Sequence, residues 1–233
     1  MSRLAISEIF GPTFQGEGPF IGQPCVFLRL AGCNLSCSWC DTPFTWDWSK
    51  YSPSKEITFK TTYEAFEEIQ RLGATYSSAI KHLVISGGEP LLQGDHLVEL
   101  CEYLRVSGWT TEIETAGTRK PPTLSLVDHF NISPKLSNSD NHKTLRYKPD
   151  VLDHLNEAES KAFKFVVSDV RDFEEIDDIV TTHKLSPVYV MPEGIEEQTI
   201  QNGLQAIAEE SIKRNYRLTT RLHVTVHGNK RGV

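Results

Sequence analysis

Short apolar runs alternate along this chain with segments whose apolar residues recur at a helical period. Cys25-Val26-Phe27-Leu28-Arg29-Leu30 and His82-Leu83-Val84-Ile85-Ser86 read as buried strands. Further strands are expected over 109–114, 129–133, 162–167, 188–191 and, late in the chain, 222–226. Tyr63, Phe66, Ile69 and Leu72 predict a helix, with Thr61 and Glu64 as its capping box. Leu97, Leu100, Cys101 and Leu104 predict a second, with Asp95 as N-cap and Gly108 as stop. Phe173, Ile176, Ile179 and Val180, capped by Asp172, predict a third, and Ile200, Leu204 and Ile207 a fourth. Polar residues 137–143 read as an exposed loop.

Strand followed by helix, repeated about six times, argues for an α/β fold with a mainly parallel sheet. The repeats are too few for a complete eight-unit barrel, so an open or partial barrel in a single domain, residues 1–233, fits best. Ligands in such folds bind beyond the C-terminal ends of the strands. The loop after Leu30, Gly87-Gly88-Glu89-Pro90, Ser133-Pro134-Lys135 and Met191-Pro192-Glu193-Gly194 all follow strands, and are expected to gather at one rim.

Composition narrows the class. With 39% hydrophobic and 24% charged residues the chain is of ordinary globular type. Its net charge of −7 argues against non-specific nucleic-acid binding. No apolar run is long enough to span a bilayer, and the N-terminus lacks a signal-peptide core, so a cytoplasmic protein is expected.

Five cysteines are present, and three of them, Cys33, Cys37 and Cys40, form a C-x-x-x-C-x-x-C run. An odd count with so tight a cluster argues against a disulfide scaffold. Cys25 and Cys101 lie in apolar patterns and read as buried thiols. Three thiolates at this spacing suit an iron–sulfur cluster with one iron free of protein ligands. A structural zinc site would need a fourth ligand, usually in a second Cys/His pair, and none follows at zinc-finger distance. A redox dithiol through Cys37 and Cys40 would leave Cys33 unexplained.

The run, with the aromatic Trp39 before its last cysteine, is similar to the signature of the radical S-adenosylmethionine enzymes. The resemblance implies a radical SAM barrel with the cluster loop after the first barrel strand. It also implies a 4Fe–4S cluster on Cys33, Cys37 and Cys40, whose fourth iron chelates the amino and carboxylate groups of S-adenosyl-L-methionine. Reduction then breaks the sulfonium carbon–sulfur bond, giving methionine and a 5′-deoxyadenosyl radical that abstracts hydrogen. The same resemblance points to Trp39, Cys40 and Asp41, to Gly88, and to Ser133, Pro134 and Lys135 as contacts to S-adenosylmethionine, with Met191, Pro192, Glu193 and Gly194 as further ones. Taken alone, the Gly-Gly-Glu-Pro segment is a plain strand-to-helix turn.

A narrower resemblance rests on four stretches that occur together: Glu8-Ile9-Phe10-Gly11-Pro12-Thr13-Phe14-Gln15-Gly16-Glu17-Gly18, Arg29, Cys40-Asp41-Thr42, and the closing Gly228-Asn229-Lys230-Arg231-Gly232-Val233. The combination resembles the 7-carboxy-7-deazaguanine synthases. This implies contraction of 6-carboxy-5,6,7,8-tetrahydropterin to 7-carboxy-7-deazaguanine with loss of ammonia, for 7-deazapurine and queuosine biosynthesis. It places Phe14, Gln15, Gly16 and Ser86 against the pterin, and Arg29, a fixed guanidinium fork, against its carboxylate. Thr42 becomes the protein anchor of a Mg²⁺ ion, which prefers oxygen ligands and keeps several waters. His227 and the Val233 carboxylate become substrate contacts. Glu114 and Thr115 face the expected rim without an assigned role.

The expected partners are the small-molecule substrate, a low-potential electron donor such as flavodoxin or ferredoxin, and a second copy in a homodimer. Two other readings remain. A glycyl-radical activating enzyme would keep the cofactors and change the substrate, against which the 8–18 segment and Thr42 speak. A non-catalytic metal-binding module is opposed by the order of the cysteines followed by the Gly-Gly-Glu-Pro rim loop.

Overall fold

The computed structural model describes residues 3–228 and 230–233. Met1 and Ser2, from the stretch read for a signal peptide, and Asn229, from the closing segment, lie outside the described residues. Along the chain the elements are β1 (Arg3–Phe14), β2 (Pro24–Leu30), α1 (Pro53–Glu56), β3 (Thr58–Thr61), α2 (Thr62–Gly73), β4 (His82–Gly87), α3 (Gly94–Val106), β5 (Thr110–Thr115) and β6 (His129–Ile132). Then come α4 (Lys143–Arg146), α5 (Pro149–Asn156), β7 (Lys161–Val167), α6 (Asp172–His183), β8 (Val188–Pro192), α7 (Glu197–Lys213), β9 (Arg217–Leu218) and α8 (Leu222–His227).

The strands form one sheet of order β3-β1-β2-β4-β5-β6-β7-β8-β9. From β2 to β9 all neighbours are parallel, while β1 runs antiparallel to both β2 and β3. This is the expected partial barrel, with β2, β4, β5, β6, β7 and β8 as its six central strands and an antiparallel extension on one side.

The period of two along each strand sorts side chains between two environments. Leu28 and Leu30, Leu83 and Ile85, Ile113, Phe130 and Ile132, Phe163 and Phe165, and Val190 join one apolar core with residues of the covering helices, such as Ile69, Leu100 and Ile176. The alternate positions face the barrel interior and are largely polar or charged: Arg29, Ser86, Glu114, Asn131 and Lys164. Arg29 pairs in register with Ser86 and Glu114 with Asn131, and the Ser86 hydroxyl donates to Glu114 at 2.9 Å. A polar layer thus crosses four neighbouring strands at the height of the rim.

Several local expectations hold. The α2 capping box is complete, with Glu64 N donating to Thr61 Oγ1 at 3.2 Å and Thr61 N donating to the Glu64 carboxylate at 2.7 Å. Such a cap contributes about 1 kcal/mol. Others are corrected. Asp95 lies in the first turn of α3 rather than at its N-cap, which is Gln93. Asp172 is the first residue of α6, and its carboxylate accepts from Ser168 N and Asp169 N in the preceding turn. Residues 137–143 are not simply exposed: Ser139 and Asn141 are buried because they hydrogen-bond to the cysteine loop.

The strand expected over 222–226 is helix α8. Leu222, Val224 and Val226 alternate as strand residues do, but β9 already occupies the sheet edge beside β8. Leu222 N donates instead to Gly16 O at 2.8 Å, drawing the chain across the rim. Strand β1, which contains most of the glycine-bearing 8–18 segment, carries no strand signal beyond Leu4 and Ile6.

Candidate active site

A cavity of about 500 Å³ opens at the C-terminal rim of the sheet. On one side stands the loop that follows β2, and Cys33, Cys37 and Cys40 all line the cavity. Hydrogen bonds from Gly32 N to Thr45 O (2.7 Å), Ser36 N to Asn141 Oδ1 (2.9 Å) and Ser38 N to Ser139 O (3.2 Å) fix the loop. The turn after β4 packs directly on it. Gly88 N donates to Leu30 O and Glu89 N to Gly32 O, and a Cβ on Gly88 would lie 2.1 Å from Gly32 O. Only glycine permits that approach. The buried Glu89 carboxylate ties the turn to β5 by accepting from Thr115 Oγ1 and Ala116 N, both at 2.8 Å. Burial raises its pKa against the pull of these donors.

Each of the three sulfurs accepts one N–H bond. Leu35 N donates to Cys33 Sγ at 3.4 Å, Asn141 Nδ2 to Cys37 Sγ at 3.3 Å, and Trp46 Nε1 to Cys40 Sγ at 3.3 Å. Such bonds suit thiolates that ligate iron. Burial pushes the Cys33 thiol up to about 12 and the Cys37 thiol upward, so loading a cluster would release protons. Among the described residues no three Cys, His, Asp or Glu side chains are grouped around a single-ion position. A four-iron cluster spreads its thiolates over separate irons and needs no such focus. The donor set therefore fits a 4Fe–4S cluster with one non-protein site.

The opposite side is charged and assembled from distant segments. Lys164, in the middle of β7, is buried with a side chain 5% exposed and pairs with Glu17. Arg221 donates from Nε to Glu17 at 3.0 Å, from Nη1 to Gly194 O at 2.5 Å, and from Nη2 to Asp41. Burial alone would raise the Glu17 pKa, but Lys164, Arg221 and His223 outweigh it and hold the carboxyl well below the usual range. Glu114 moves the other way: burial raises it, against the pull of Lys164 and with Glu17 and Glu112 adding to the rise. A second ionic group closes the side near β1. Glu8 accepts from Arg29 Nε at 3.1 Å and from Arg231 Nε, and Arg231 also pairs with Glu56 at 2.8 Å over the face of Phe44.

Most residues singled out from sequence reach this cavity. Trp39, Asp41, Thr42, Gly88, Ser133, Lys135, Met191, Pro192, Glu193 and Gly194 line it, as do Phe14, Gln15, Gly16, Arg29, Ser86 and Val233. Lys135 Nζ donates to Ser133 Oγ at 2.8 Å and lies 5.6 Å from the Trp39 ring centre. Thr42 Oγ1 is 3.7 Å from Cys40 Sγ.

Two residues do not line the cavity. Pro134 lies between two residues that do, and His227, at the end of α8, gives way to His223 one turn earlier. Gln15, which lines the cavity, is also bonded within the protein. Its backbone pairs with Gln23 O and Gly22 N, and its buried amide donates to Glu112 at 3.0 Å and Glu114 at 3.2 Å. It bridges two interior carboxylates. The Asp41 carboxylate is likewise engaged, by Arg221.

Sequence reasoning missed Glu17, Lys164, Arg221, His223, Trp46 and Asn141. Only Lys164 carried a signal, as a lysine inside the apolar run Ala162-Phe163-Lys164-Phe165-Val166-Val167. A charge there is costly unless paired.

Comparison with known proteins agrees with the geometry. Residues 28–186 match the Radical SAM superfamily, and the chain is a radical S-adenosylmethionine enzyme, whose class works with a 4Fe–4S cluster and S-adenosylmethionine. The 7-carboxy-7-deazaguanine synthase of Pyrobaculum aerophilum is 35% identical over 99% of this chain and 97% of its own length. That of Bacillus cereus is 31% identical over the full length of both. The crystal structure of QueE from Escherichia coli superposes with a TM-score of 0.71 at 29% identity, covering 95% of each chain. This chain belongs to the 7-carboxy-7-deazaguanine synthase family.

Proposed function

We propose that the rim cavity converts 6-carboxy-5,6,7,8-tetrahydropterin to 7-carboxy-7-deazaguanine with loss of ammonia, within one domain spanning residues 1–233. The observation that carries this reading is the meeting, in one cavity, of three N–H-bonded cysteine sulfurs with the interior-facing Arg29, Ser86 and Glu114.

Cys33, Cys37 and Cys40 would hold the cluster. Trp39, Gly88, Ser133, Lys135 and the 191–194 segment would bind S-adenosylmethionine. Together these cofactors supply, when bound, a 5′-deoxyadenosyl radical that takes a hydrogen atom from the substrate. The chain's own residues then bind, orient and shield the pterin. Arg29 bonds Glu8 through Nε, which leaves its two terminal nitrogens to grip a carboxylate as a fork. The half-exposed Phe14 ring offers an apolar face to the pterin. Glu114, whose pKa burial raises, accepts from the Ser86 hydroxyl at 2.9 Å beside the cavity. Thr42, at the cysteine loop's end, would offer its hydroxyl to Mg²⁺.

A low-potential electron donor such as flavodoxin or ferredoxin, a homodimeric assembly and a cytoplasmic setting complete the proposal. No helix among the described residues is long and apolar enough to cross a membrane. The direct test incubates the anaerobically reconstituted, reduced protein with S-adenosylmethionine, Mg²⁺ and 6-carboxytetrahydropterin, and seeks 7-carboxy-7-deazaguanine by mass spectrometry. Product is expected. S-Adenosylmethionine cleavage without product would move the assignment to an activating enzyme of another substrate. Uptake of zinc and no iron would overturn the cluster.

A further inference from the structure

Beyond holding the cluster, the cysteine loop is wired to two side chains that no ligand role requires. Trp46 lies at the C-terminal end of the 3-10 turn Pro43–Thr45, and its indole N–H donates to Cys40 Sγ at 3.3 Å. An indole N–H can only donate, and this bond is the one recorded for it. Asn141, buried beside the loop, accepts from Ser36 N at 2.9 Å through Oδ1 and donates from Nδ2 to Cys37 Sγ at 3.3 Å. The same Nδ2 reaches Ser139 O at 3.2 Å, which fixes the amide's orientation. Cys33 receives only a backbone N–H, from Leu35.

We propose that Trp46 and Asn141 set the reduction potential of the cluster, acting as positioning residues through Cys40 and Cys37. The proposal rests on the cluster assignment above. Adding an electron makes the ligated sulfurs more negative, and the positive end of an N–H dipole stabilises that reduced state more than the oxidised one. Hydrogen bonds to the sulfurs are among the factors that set cluster potentials. Both donors sit in a partly buried, low-dielectric setting, where such bonds count for more. The two therefore make the cluster easier to reduce by a weak donor.

Trp46→Phe keeps the ring and removes only the N–H. Asn141→Asp keeps the acceptor for Ser36 N and replaces the donor with a carboxylate oxygen. The measurement is an EPR-monitored potentiometric titration of the reconstituted protein, with iron content determined on the same samples. For Trp46→Phe the ratio of reduced to oxidised cluster at a fixed solution potential is expected to fall about tenfold, or about 59 mV in a one-electron couple, with iron content unchanged. Asn141→Asp is expected to fall further. Trp48→Phe, at a half-exposed indole with no recorded bond to sulfur, is expected to titrate as the unaltered protein.

Trp46→Phe with full iron and the unaltered midpoint would overturn the proposal, as would an equal shift in Trp48→Phe. Loss of iron from Trp46→Phe with no change in the midpoint of the clusters that remain would show a merely structural role and overturn it too. Failure of the unaltered chain to take up iron would overturn the cluster assignment along with it. Should Asn141→Asp fail to fold, Trp46→Phe alone decides.

Discussion

The two sides of the cavity are built on opposite plans. The cysteine side comes from one short loop, is shaped by backbone hydrogen bonds, and presents the Cys33 and Cys37 thiols, whose pKa burial raises. The charged side joins Glu17, Asp41, Lys164 and Arg221 with the Gly194 carbonyl from far apart in the chain, and its charged side chains are paired with one another before any ligand arrives. The first side is poised to accept a cofactor, and the second is held ready by its own electrostatics. Losses on the cysteine side should therefore appear as chemistry, and losses on the charged side as stability first.

The largest expected effect is chemical. Cys37→Ala should lower iron content and reduce S-adenosylmethionine cleavage to background, with little change in the unfolding midpoint of the metal-free protein. Retained cleavage would remove Cys37 from the ligand set. Lys164→Met tests the other plan. Removing one partner of a buried ion pair costs about 3–5 kcal/mol, and the urea midpoint of the metal-free protein should drop accordingly.

The pH dependence of that loss follows from two shifts. Glu17 is held below its unfolded value, so its contribution is full above about 4.3 and fades as pH falls through the lower folded value. Lys164 is raised, burial notwithstanding, by Glu17 and Glu114, so its contribution is full below about 10.4 and fades above. The gap between Lys164→Met and the unaltered protein should be flat between those limits and close outside them. A gap that persists undiminished into acid would mean the pair is not the source.

Two smaller effects refine the comparison at places where the sides meet. Thr42→Ala should raise the Mg²⁺ concentration for half-maximal product formation about tenfold, the scale of one lost contact to a charged partner. An unchanged magnesium titration would remove Thr42 from the site. Arg231 is 43% exposed, and such pairs contribute about 0.2–1 kcal/mol. Arg231→Ala should raise the pterin KM about two- to fivefold, by loosening Glu8 and with it Arg29. S-Adenosylmethionine cleavage in the absence of pterin should stay unchanged, and a matching fall in it would place Arg231 on the cysteine side.

The same contrast governs what could be read from sequence. The cysteine run, Gly88 and the strand ends were legible because their chemistry is written in contiguous residues and in a strand period that the fold preserves. The charged side was not, because Glu17, Lys164 and Arg221 gain meaning only when β7 and the chain before α8 converge on the rim. Helix α8 escaped for a related reason: its alternating apolar residues obey a local strand preference that the occupied sheet edge and the Arg221 contacts override. Asn141 was hidden in a polar stretch, where burial is unexpected until its amide is seen against Cys37.

Arg221, which pins three rim segments at once, also orders events during synthesis. The three sulfurs have all their N–H donors once Asn141 has emerged, whereas the charged side waits for Arg221. At 5–20 residues per second, ribosomal elongation between these two points takes about 4–16 s. Until Arg221 emerges, the segments of Glu17, Asp41 and Gly194 lack the side chain that joins them.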